Sequence, residues 1–311
     1  MNNTKVIFMG TPDFAVPILE KLIKNTNVIA VVTQPDKFVG RHHEVSFSPI
    51  KKVALQNNIK VIQPEKIRNE YDEILSLNPD IIITCAYGQI IPEILLNCPP
   101  LGCINVHASL LPKLRGGAPI HHAIIDGYKK TGITIMYMDK TMDTGDIIST
   151  KEVEIELEDN VGTLHDKLST VGAELLLETL PSIINKTNNR IPQNHDEATY
   201  AYNISREDEH IDFNKTAQEV FDQVRGLNPW PKAYTVIDGE EVKVIDCYIG
   251  NEDSIFSAGT ICTIDKDKFG ICTKDKLVYL TKVKPSGKRE MDILDYINGL
   301  KKEKVLHTIC E

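Results

Sequence analysis

Short runs of isoleucine and valine recur through the first half of the chain and alternate with segments of helical periodicity. The runs are apolar at nearly every position rather than at every second one, and they occupy 5–10, 27–33, 80–86, 103–107 and 132–138. Continuous apolarity is typical of strands buried on both faces, as in a parallel sheet covered by helices. Segments 16–25 and 49–58 have the length and spacing of crossover helices. The pattern predicts a doubly wound α/β fold with a mostly parallel sheet.

A longer helix is predicted over 161–181, where apolar residues recur at helical spacing. Thr163 and Asp166 have the spacing of a capping box, and Pro181 is a natural stop. The loop after the first strand reads GTPDF and lacks the G-x-G-x-x-G fingerprint, so a bound dinucleotide is not predicted.

The second half has a different pattern. Residues 182–206 are polar and have no sustained period, which indicates a linker. After a helical segment, short strands are predicted at 233–238, 241–249, 259–265, 269–274 and 277–285. Strands of this spacing favour a small antiparallel barrel, and an OB-like barrel fits the size. We therefore expect a first domain at 1–189, a linker at 190–206 and a C-terminal domain at 207–311.

Charge and composition narrow the function. The 311-residue chain has a net charge of −9 at pH 7, which argues against a general nucleic-acid binder. Between positions 276 and 304, however, eight basic residues accompany four acidic ones, so this stretch is locally basic. The seven cysteines are scattered without a C-x-x-C pair, as expected for reduced thiols. With no signal-peptide pattern and no membrane-spanning run, we expect a cytoplasmic protein without a membrane partner.

The stretch INVHASLLPKLRGGAP at 104–119 places three polar side chains at alternating positions where an apolar strand ends. Asn105, His107 and Ser109 would point to the same face of an extended chain. Open α/β sheets bind their ligands at the carboxyl ends of strands, so we expect these side chains to converge on one site. The glycines in RGG at 115–117 either form a tight turn or let the backbone approach a ligand closely.

A second polar loop, KTMDTGDII at 140–148, supplies carboxylates. Asp143 beside a histidine can orient the ring and favour its protonated form. An amide and an imidazole aimed at one point can stabilise an oxyanion developing on a carbonyl. Because Ser109 is not in a G-x-S-x-G elbow, it is expected to form hydrogen bonds rather than to attack, and the set suggests direct acyl transfer between bound substrates. Asp146 is expected only to cap the turn.

These segments together resemble the 10-formyl-tetrahydrofolate-dependent formyltransferases. The resemblance implies a catalytic trio of Asn105, His107 and Asp143. It also implies 10-formyl-tetrahydrofolate as the formyl donor, no metal, and folate contacts from two segments. The folate-binding residues that it implies are Tyr87, Gly88, Ile91 and Pro92 in AYGQIIP, together with Ser109, Leu110, Leu111 and Pro112.

Four further stretches resemble the methionyl-tRNA formyltransferases within that family. They are FMGTPDFAVPILEKL, VVTQPDKFVGR, VRGLNPWPKAYT and VKPSGKREMDILDYING, and with the catalytic segments they run through nearly the whole chain. This likeness implies a Rossmann-like catalytic domain, a tRNA-binding OB-like domain, methionyl initiator tRNA as the acceptor, and a monomer. The implied tRNA contacts are Arg41, Lys284, Lys288 and Arg289. After Arg41 the chain reads HHEV, where the family more often has lysines.

The implied reaction fits the residues. The α-amino group of an aminoacyl ester titrates near or below the value of about 7.7–8.0 of a model terminus, so no strong base is needed. Asn105 and His107 are assigned to the oxyanion, and Asp143 to orienting His107 and assisting proton transfer. Two alternatives remain: a sugar-nucleotide N-formyltransferase, which can share both domains, and an inactive folate- or RNA-binding module.

Overall fold

The computed structural model describes residues 3–39 and 44–310. The chain divides into two compact units. The first unit runs to Pro119 and also includes Lys130–Glu154 and His165–Tyr202. The second contains Ile120–Lys129, Ile155–Leu164 and the chain from Asn203 onward.

The strands are short, and most coincide with the predicted apolar runs. They are β1 (Lys5–Gly10), β2 (Asn27–Val32), β3 (Lys37–Val39), β4 (Glu44–Ser46), β5 (Lys60–Ile62), β6 (Ile81–Cys85), β7 (Cys103–His107), β8 (Lys130–Tyr137), β9 (Ile147–Glu154), β10 (Tyr234–Ile237), β11 (Glu240–Asp253), β12 (Ile261–Asp265), β13 (Lys268–Cys272), β14 (Lys276–Pro285) and β15 (Met291–Asp292). The helices are α1 (Val16–Asn25), α2 (Pro49–Gln56), α3 (Asp72–Ser76), α4 (Glu93–Leu96), α5 (Pro119–Ile125), α6 (Val161–Ile184), α7 (Ala217–Gly226), α8 (Ile293–Asn298) and α9 (Lys302–Val305). Single 3₁₀ turns lie at Asp13–Ala15 and His195–Glu197.

A seven-stranded sheet in the order β5-β2-β1-β6-β7-β8-β9 organises the first unit. The five strands from β5 to β7 are parallel, which confirms the predicted mostly parallel sheet. Strand β8 was expected within the parallel set, but it runs antiparallel to β7, pairing Met136 with Asn105 and Thr134 with His107. Strand β9 was not predicted; it lies at the edge of the sheet, and its outer half alternates between more and less exposed residues instead of forming a continuous apolar run.

Helix α6 covers one face of the sheet. A methyl group added at Gly172 would lie 3.2 Å from Cγ1 of Val106 and 3.7 Å from Cδ1 of Ile18 in α1, so the helix approaches β7 closely. Because neighbouring residues of a strand point to opposite faces, Asn105 and His107 point away from α6. On their side the sheet carries a buried cluster whose strand members include Ile7, Met9, Ile82 and Cys103.

The predicted start of α6 is correct, but its predicted cap and stop are wrong. The helix begins with a reciprocal pair between Asn160 and Thr163, in which each side chain accepts the other's backbone N–H. Asn160 immediately precedes the helix, so Thr163 holds the third helical position rather than the first of the box. The helix also continues past Pro181 to Ile184, because proline removes one N–H donor but its carbonyl still accepts from Asn185.

An antiparallel sheet forms the second unit, in the order β10-β11-β14-β13-β12 with β15 paired to β14. The register between β11 and β14 shifts at three places, where such a strand bends. Helix α7 starts with a capping box between Thr216 and Glu219 and buries Val220 and Val224 in the core of this unit. Among the described residues, none of the helices combines the length and the apolarity needed to cross a lipid bilayer.

Candidate active site

In the sheet of the first unit, successive strands are added first on one side of β1 and then on the other. After β2 and β5 on one side, the chain crosses to β6 and β7 on the other. Open α/β sheets bind ligands at such a switch point, beyond the carboxyl ends of the strands. The loops after β1 and β6 meet there, since Thr11 Oγ1 and Gln34 Nε2 donate to the carbonyl of Tyr87 at 3.1 and 3.0 Å.

Asn105 lies in β7 next to this switch point and is partly exposed. The hydroxyl of Thr84 in β6 has two oxygen acceptors for its one proton, the carbonyl oxygen of Ile104 at 3.2 Å and the nearer Asn105 Oδ1 at 2.9 Å, and we assign the proton to the nearer. Because the amide oxygen is engaged, the Nδ2 amino group is the end of Asn105 that remains to donate to a ligand.

His107 ends β7 and is 6% exposed. Its Nε2 lies 3.1 Å from the carbonyl oxygen of Leu114. A carbonyl can only accept, so Nε2 carries a proton and donates it. The other ring nitrogen, Nδ1, lies 3.8 Å from Oδ1 of Asp143, which is beyond hydrogen-bond distance and leaves Nδ1 accessible to a third group.

Asp143 reaches this ring from the loop that follows β8. Its Oδ2 accepts the backbone N–H of Gly116 at 2.8 Å, which leaves Oδ1 toward His107. The φ angle of Asp143 is +55°, in the left-handed region that costs a non-glycine residue of the order of 1 kcal/mol. The loop is therefore held in a specific conformation that presents the carboxylate to the histidine.

The RGG segment does more than turn the chain. Gly116 has φ of +121°, and a methyl group on it would lie 2.5 Å from the carbonyl oxygen of Ala201. Glycine is required here because of this φ angle and because the backbone comes so close to Ala201.

Ser109 is fully buried, and its hydroxyl donates to the carbonyl of Lys113 at 2.6 Å. Its carbonyl accepts from Thr134 Oγ1, which in turn accepts the N–H of Leu111. Leu111 is buried, while Leu110 and Pro112 are partly exposed. The Ser109 side chain thus holds the loop, in line with a hydrogen-bonding rather than a nucleophilic residue.

The segment after β6 divides between core and surface. Tyr87 and Ile91 are 4% and 5% exposed and belong to the buried cluster below the sheet. Burial raises the pKa of the Tyr87 hydroxyl, which has no hydrogen-bond partner among the residues that the structure describes. Gly88 is exposed, Pro92 is partly exposed, and Ile90 is 85% exposed. An isoleucine so exposed in the loop after β6 offers apolar surface for a ligand, and the resemblance had not singled it out.

Residues that the sequence assigned to a linker also take part in the site. Gln193 is 7% exposed and donates through Nε2 to the carbonyls of Asp143 and Gly145 at 2.9 and 2.8 Å. Arg115, 2% exposed, donates to Gln193 Oε1 from Nε at 3.1 Å and from Nη2 at 2.6 Å. No local signal in the sequence predicts this network, because Gln193 follows Arg115 by 78 positions.

Asp146 lies apart from the His107 cluster. Its carboxylate pairs with Nε of Arg190 at 3.0 Å, and Arg190 also stacks on the ring of Tyr137. The sequence analysis expected this side chain to cap the turn, but it binds Arg190 instead. The described residues contain no group of three potential metal ligands.

The predicted tRNA contacts lie in the second unit where the structure describes them. Lys284 is exposed on β14, and Lys288 and Arg289 are exposed in the turn between β14 and β15. Arg41 lies outside the described residues.

Lys284 lines a cavity of about 400 Å³ together with Lys232 and Lys243. The Nζ of Lys232 binds the carboxylate of Glu290, and this bond, aided by the charges of nearby lysines including Lys284, lowers the pKa of Glu290. Lys243 also lies 4.0 Å from a carboxylate oxygen of Glu209, and Glu241 lines the same cavity, so two of its three lysines have acidic partners.

Comparison with known protein families supports the resemblance seen in the sequence. A family model described as formyl transferase matches residues 4–180. A second, described as the formyl transferase C-terminal domain, matches residues 203–301.

Curated relatives carry the similarity along the whole chain. A methionyl-tRNA formyltransferase from Staphylococcus epidermidis is 53% identical over 307 residues, covering 97% of this chain and 98% of its own. One from Staphylococcus aureus is 52% identical over 299 residues, covering 95% of this chain and 96% of its own.

Solved structures show the same fold at lower identity. An N-formyltransferase from Helicobacter canadensis, solved with folinic acid and dTDP-3-aminofucose, has a TM-score of 0.67 at 23% identity and covers 89% of this chain and 99% of its own. The sugar 3N-formyltransferase WlaRD, solved with dTDP and 5-N-formyl-tetrahydrofolate, has a TM-score of 0.66 at 21% identity over 93% of this chain and 100% of its own. The family model matches more than half of the chain and the curated relatives share more than half of its residues, so the chain belongs to the methionyl-tRNA formyltransferase family.

Proposed function

We propose that this protein transfers the formyl group of 10-formyl-tetrahydrofolate to the α-amino group of methionyl initiator tRNA. The observation that carries the proposal is the cluster of Asn105, His107 and Asp143. The chain that contains it is 53% identical to a curated methionyl-tRNA formyltransferase. We further propose that residues 1–189 carry the chemistry and that residues 207–311 bind the tRNA.

Formyl transfer begins when the neutral amine attacks the formyl carbon. A C–N bond forms while the carbonyl π electrons move to oxygen, and the resulting oxyanion needs donors. Asn105 Nδ2 is one donor, since Thr84 occupies its Oδ1. His107 Nδ1 is the other, since Leu114 occupies Nε2.

Asp143 keeps a protonated Nδ1 directed at the reacting oxygen. Its Oδ1 lies 3.8 Å from Nδ1, which is close enough to orient the ring. At this distance Oδ1 does not form a hydrogen bond with the Nδ1 proton, so that proton remains available to the reacting oxygen. In the second step the C–N bond to the folate breaks, and the proton lost by the attacking amine moves to the departing folate nitrogen. Asp143 is the carboxylate placed to assist that transfer, through water.

Folate binding is assigned to the crevice at the switch point, where the two segments implied by the resemblance meet the sheet. Gly88 and Ile90 supply exposed surface after β6, and Leu110 and Pro112 supply it after β7. Tyr87 and Ile91 support that surface from the core below. Ser109 contributes by holding the loop that follows His107.

The basic surface around Lys284 is assigned to the phosphates of the tRNA. Lys284, Lys288 and Arg289 are exposed cations close together in the chain, and the adjoining cavity contains two further lysines. Each phosphate contact releases counterions, so binding should weaken steeply with salt.

The reaction is tested by transfer of labelled formyl from 10-formyl-tetrahydrofolate to methionyl initiator tRNA, with elongator methionyl-tRNA as the control acceptor. Formylation of the initiator species is the expected result, and Asn105→Ala should slow it about 10²- to 10³-fold. The matched control is Asn189→Ala, in an exposed loop. Transfer to an amino-sugar nucleotide but not to tRNA would contradict the proposed acceptor. Transfer to neither would contradict the proposed formyl transfer itself.

The tRNA surface is tested by Lys284→Ala against Lys274→Ala, an exposed lysine of the same unit outside the cavity. Lys284→Ala should raise the KM for tRNA. It should also reduce the magnitude of the slope of the logarithm of the tRNA binding constant against the logarithm of salt concentration by about 1. Equal effects from both lysines would contradict a specific surface.

A further inference from the structure

Leu114, whose carbonyl accepts the Nε2 proton of His107, and Asp143, whose carboxylate faces Nδ1, are both held by one segment. This segment, residues 191–201, is here named the strap. At its start Ile191 and Ile147 exchange backbone hydrogen bonds at 2.8 and 2.9 Å. At its end Arg115 N–H donates to Thr199 O at 2.8 Å, and Ala201 N–H donates to Arg115 O at 2.7 Å. The strap thus joins the loop after β7 to the chain that follows the Asp143 loop.

Thr199 fixes the first partner. Its Oγ1 accepts the N–H of Leu114 at 2.9 Å. Leu114 has a φ angle of +57°, an unfavourable conformation for leucine that needs outside support. The carbonyl of the same residue receives the Nε2 proton of His107, so Thr199 orients the acceptor through one residue.

Gln193 fixes the second partner. Its Nε2 donates to the carbonyls of Asp143 and Gly145, which closes the loop around the carboxylate. The amide has one possible orientation, because Arg115 has only donors and two of them point to Gln193 Oε1. The amino group must therefore face the two carbonyls.

We infer that the strap is the positioning element of the reaction, with Gln193 setting Asp143 and Thr199 setting Leu114 so that His107 keeps Nδ1 directed at the formyl oxygen. The inference rests on the proposed function and extends it to residues that contact neither substrate in that scheme. It predicts that the strap affects turnover far more than substrate binding.

The test uses the full chain with two near-isosteric variants. Gln193→Met removes the two donors to the Asp143 loop, and Thr199→Val removes the acceptor for Leu114. Each should lower kcat about 10- to 100-fold while the KM for folate and for tRNA changes less than about threefold, the size expected for a misplacement of about 1 Å. Asp196→Asn, at an exposed position of the same strap, is the matched control.

A double-mutant cycle separates positioning from loss of structure. Gln193→Met should cost little further rate when Asp143 is already replaced by asparagine, because its effect passes through that carboxylate. The same loss in both backgrounds would overturn the inference, and so would unchanged kcat in both variants. Should both variants unfold at assay temperature, Gln193→Glu, which keeps the bond to Arg115 but turns an acceptor toward two carbonyls, must show the same kcat loss. If the unaltered protein transfers no formyl group, the proposed function fails and the inference fails with it; an active wild type with unaffected variants refutes the strap alone.

Discussion

Replacing Asp143 with asparagine exchanges one carboxylate oxygen for an amino group and leaves the shape of the side chain. The backbone N–H of Gly116, which lies 2.8 Å from Asp143 Oδ2, can only donate. The oxygen of the new carboxamide must therefore stay with Gly116, and its amino group must turn toward Nδ1 of His107, 3.8 Å away. A donor then faces the ring nitrogen where a carboxylate faced it before.

The expected loss follows from that exchange. A facing amino group favours a lone pair on His107 Nδ1, while Nε2 keeps its proton for the Leu114 carbonyl. The ring then has no N–H to offer the oxyanion. Removing one oxyanion donor typically lowers kcat about 10²- to 10³-fold, or about 2.7–4 kcal/mol of transition-state stabilisation. The KM values should change little, because the lost interaction forms only in the transition state.

Single-turnover transfer of labelled formyl to methionyl initiator tRNA measures this change, and thermal unfolding checks the fold. Asp146→Asn is the matched control, since it lies in the same loop and pairs with Arg190 instead of facing His107. Near-full turnover of Asp143→Asn with an unchanged pH profile would refute the assigned role. An equal loss in the Asp146 control would refute the geometry behind it.

Three further changes test the surrounding structure. Gly116→Ala should destabilise the fold by at least about 1–3 kcal/mol, because its φ of +121° and the close carbonyl of Ala201 exclude a methyl group; thermal unfolding measures the loss, and an unchanged melting temperature would contradict it. Thr216→Ala should cost about 1 kcal/mol by removing the capping box with Glu219, as read from denaturant unfolding, and no change would mean that the cap is not needed. The pKa of Asp275 is lowered by a hydrogen bond from the first N–H of α7, so its stabilising effect is present above its unfolded pKa of about 3.9 and lost as pH falls through the lower folded value. The melting temperatures of wild type and Asp275→Asn should therefore differ at pH 6 and converge only when the pH falls below the lowered folded pKa of Asp275, and a constant gap would contradict the assignment.

The parts of the fold that sequence predicts are those encoded by local periodicity. Strands β1 and β7 and helix α1 have the bounds expected from their apolar runs, because burial on both faces leaves a continuous signal. The direction of β8 could not be inferred in this way, since an apolar run is compatible with either direction of pairing. The end of α6 was misjudged because Pro181 lies in the last turn, where the loss of one donor is tolerated.

The site was predictable where its residues share one strand and otherwise only through resemblance. Asn105 and His107 lie two positions apart, so strand geometry alone places them on one face. Gln193 and Thr199 lie in a polar segment with no period, and their partners are about 50 to 85 positions away. Nothing local distinguishes such a segment from a linker, because its order comes from hydrogen bonds to distant loops.

Arg115 shows how far the fold departs from maximum stability to keep this network. Its guanidinium is 2% exposed, yet among the described residues its side-chain partners are the neutral Gln193 and His195, with no carboxylate within ion-pair distance. A buried charge without an ionic partner costs several kcal/mol, whereas an apolar side chain of similar size would pack at no such cost. A neutral donor could also rotate or exchange roles with the Gln193 amide, but a guanidinium cannot accept a hydrogen bond. It therefore fixes the amide, the amide fixes the loop of Asp143, and the direction of each hydrogen bond is set before substrate arrives, which is the preorganisation that oxyanion stabilisation requires.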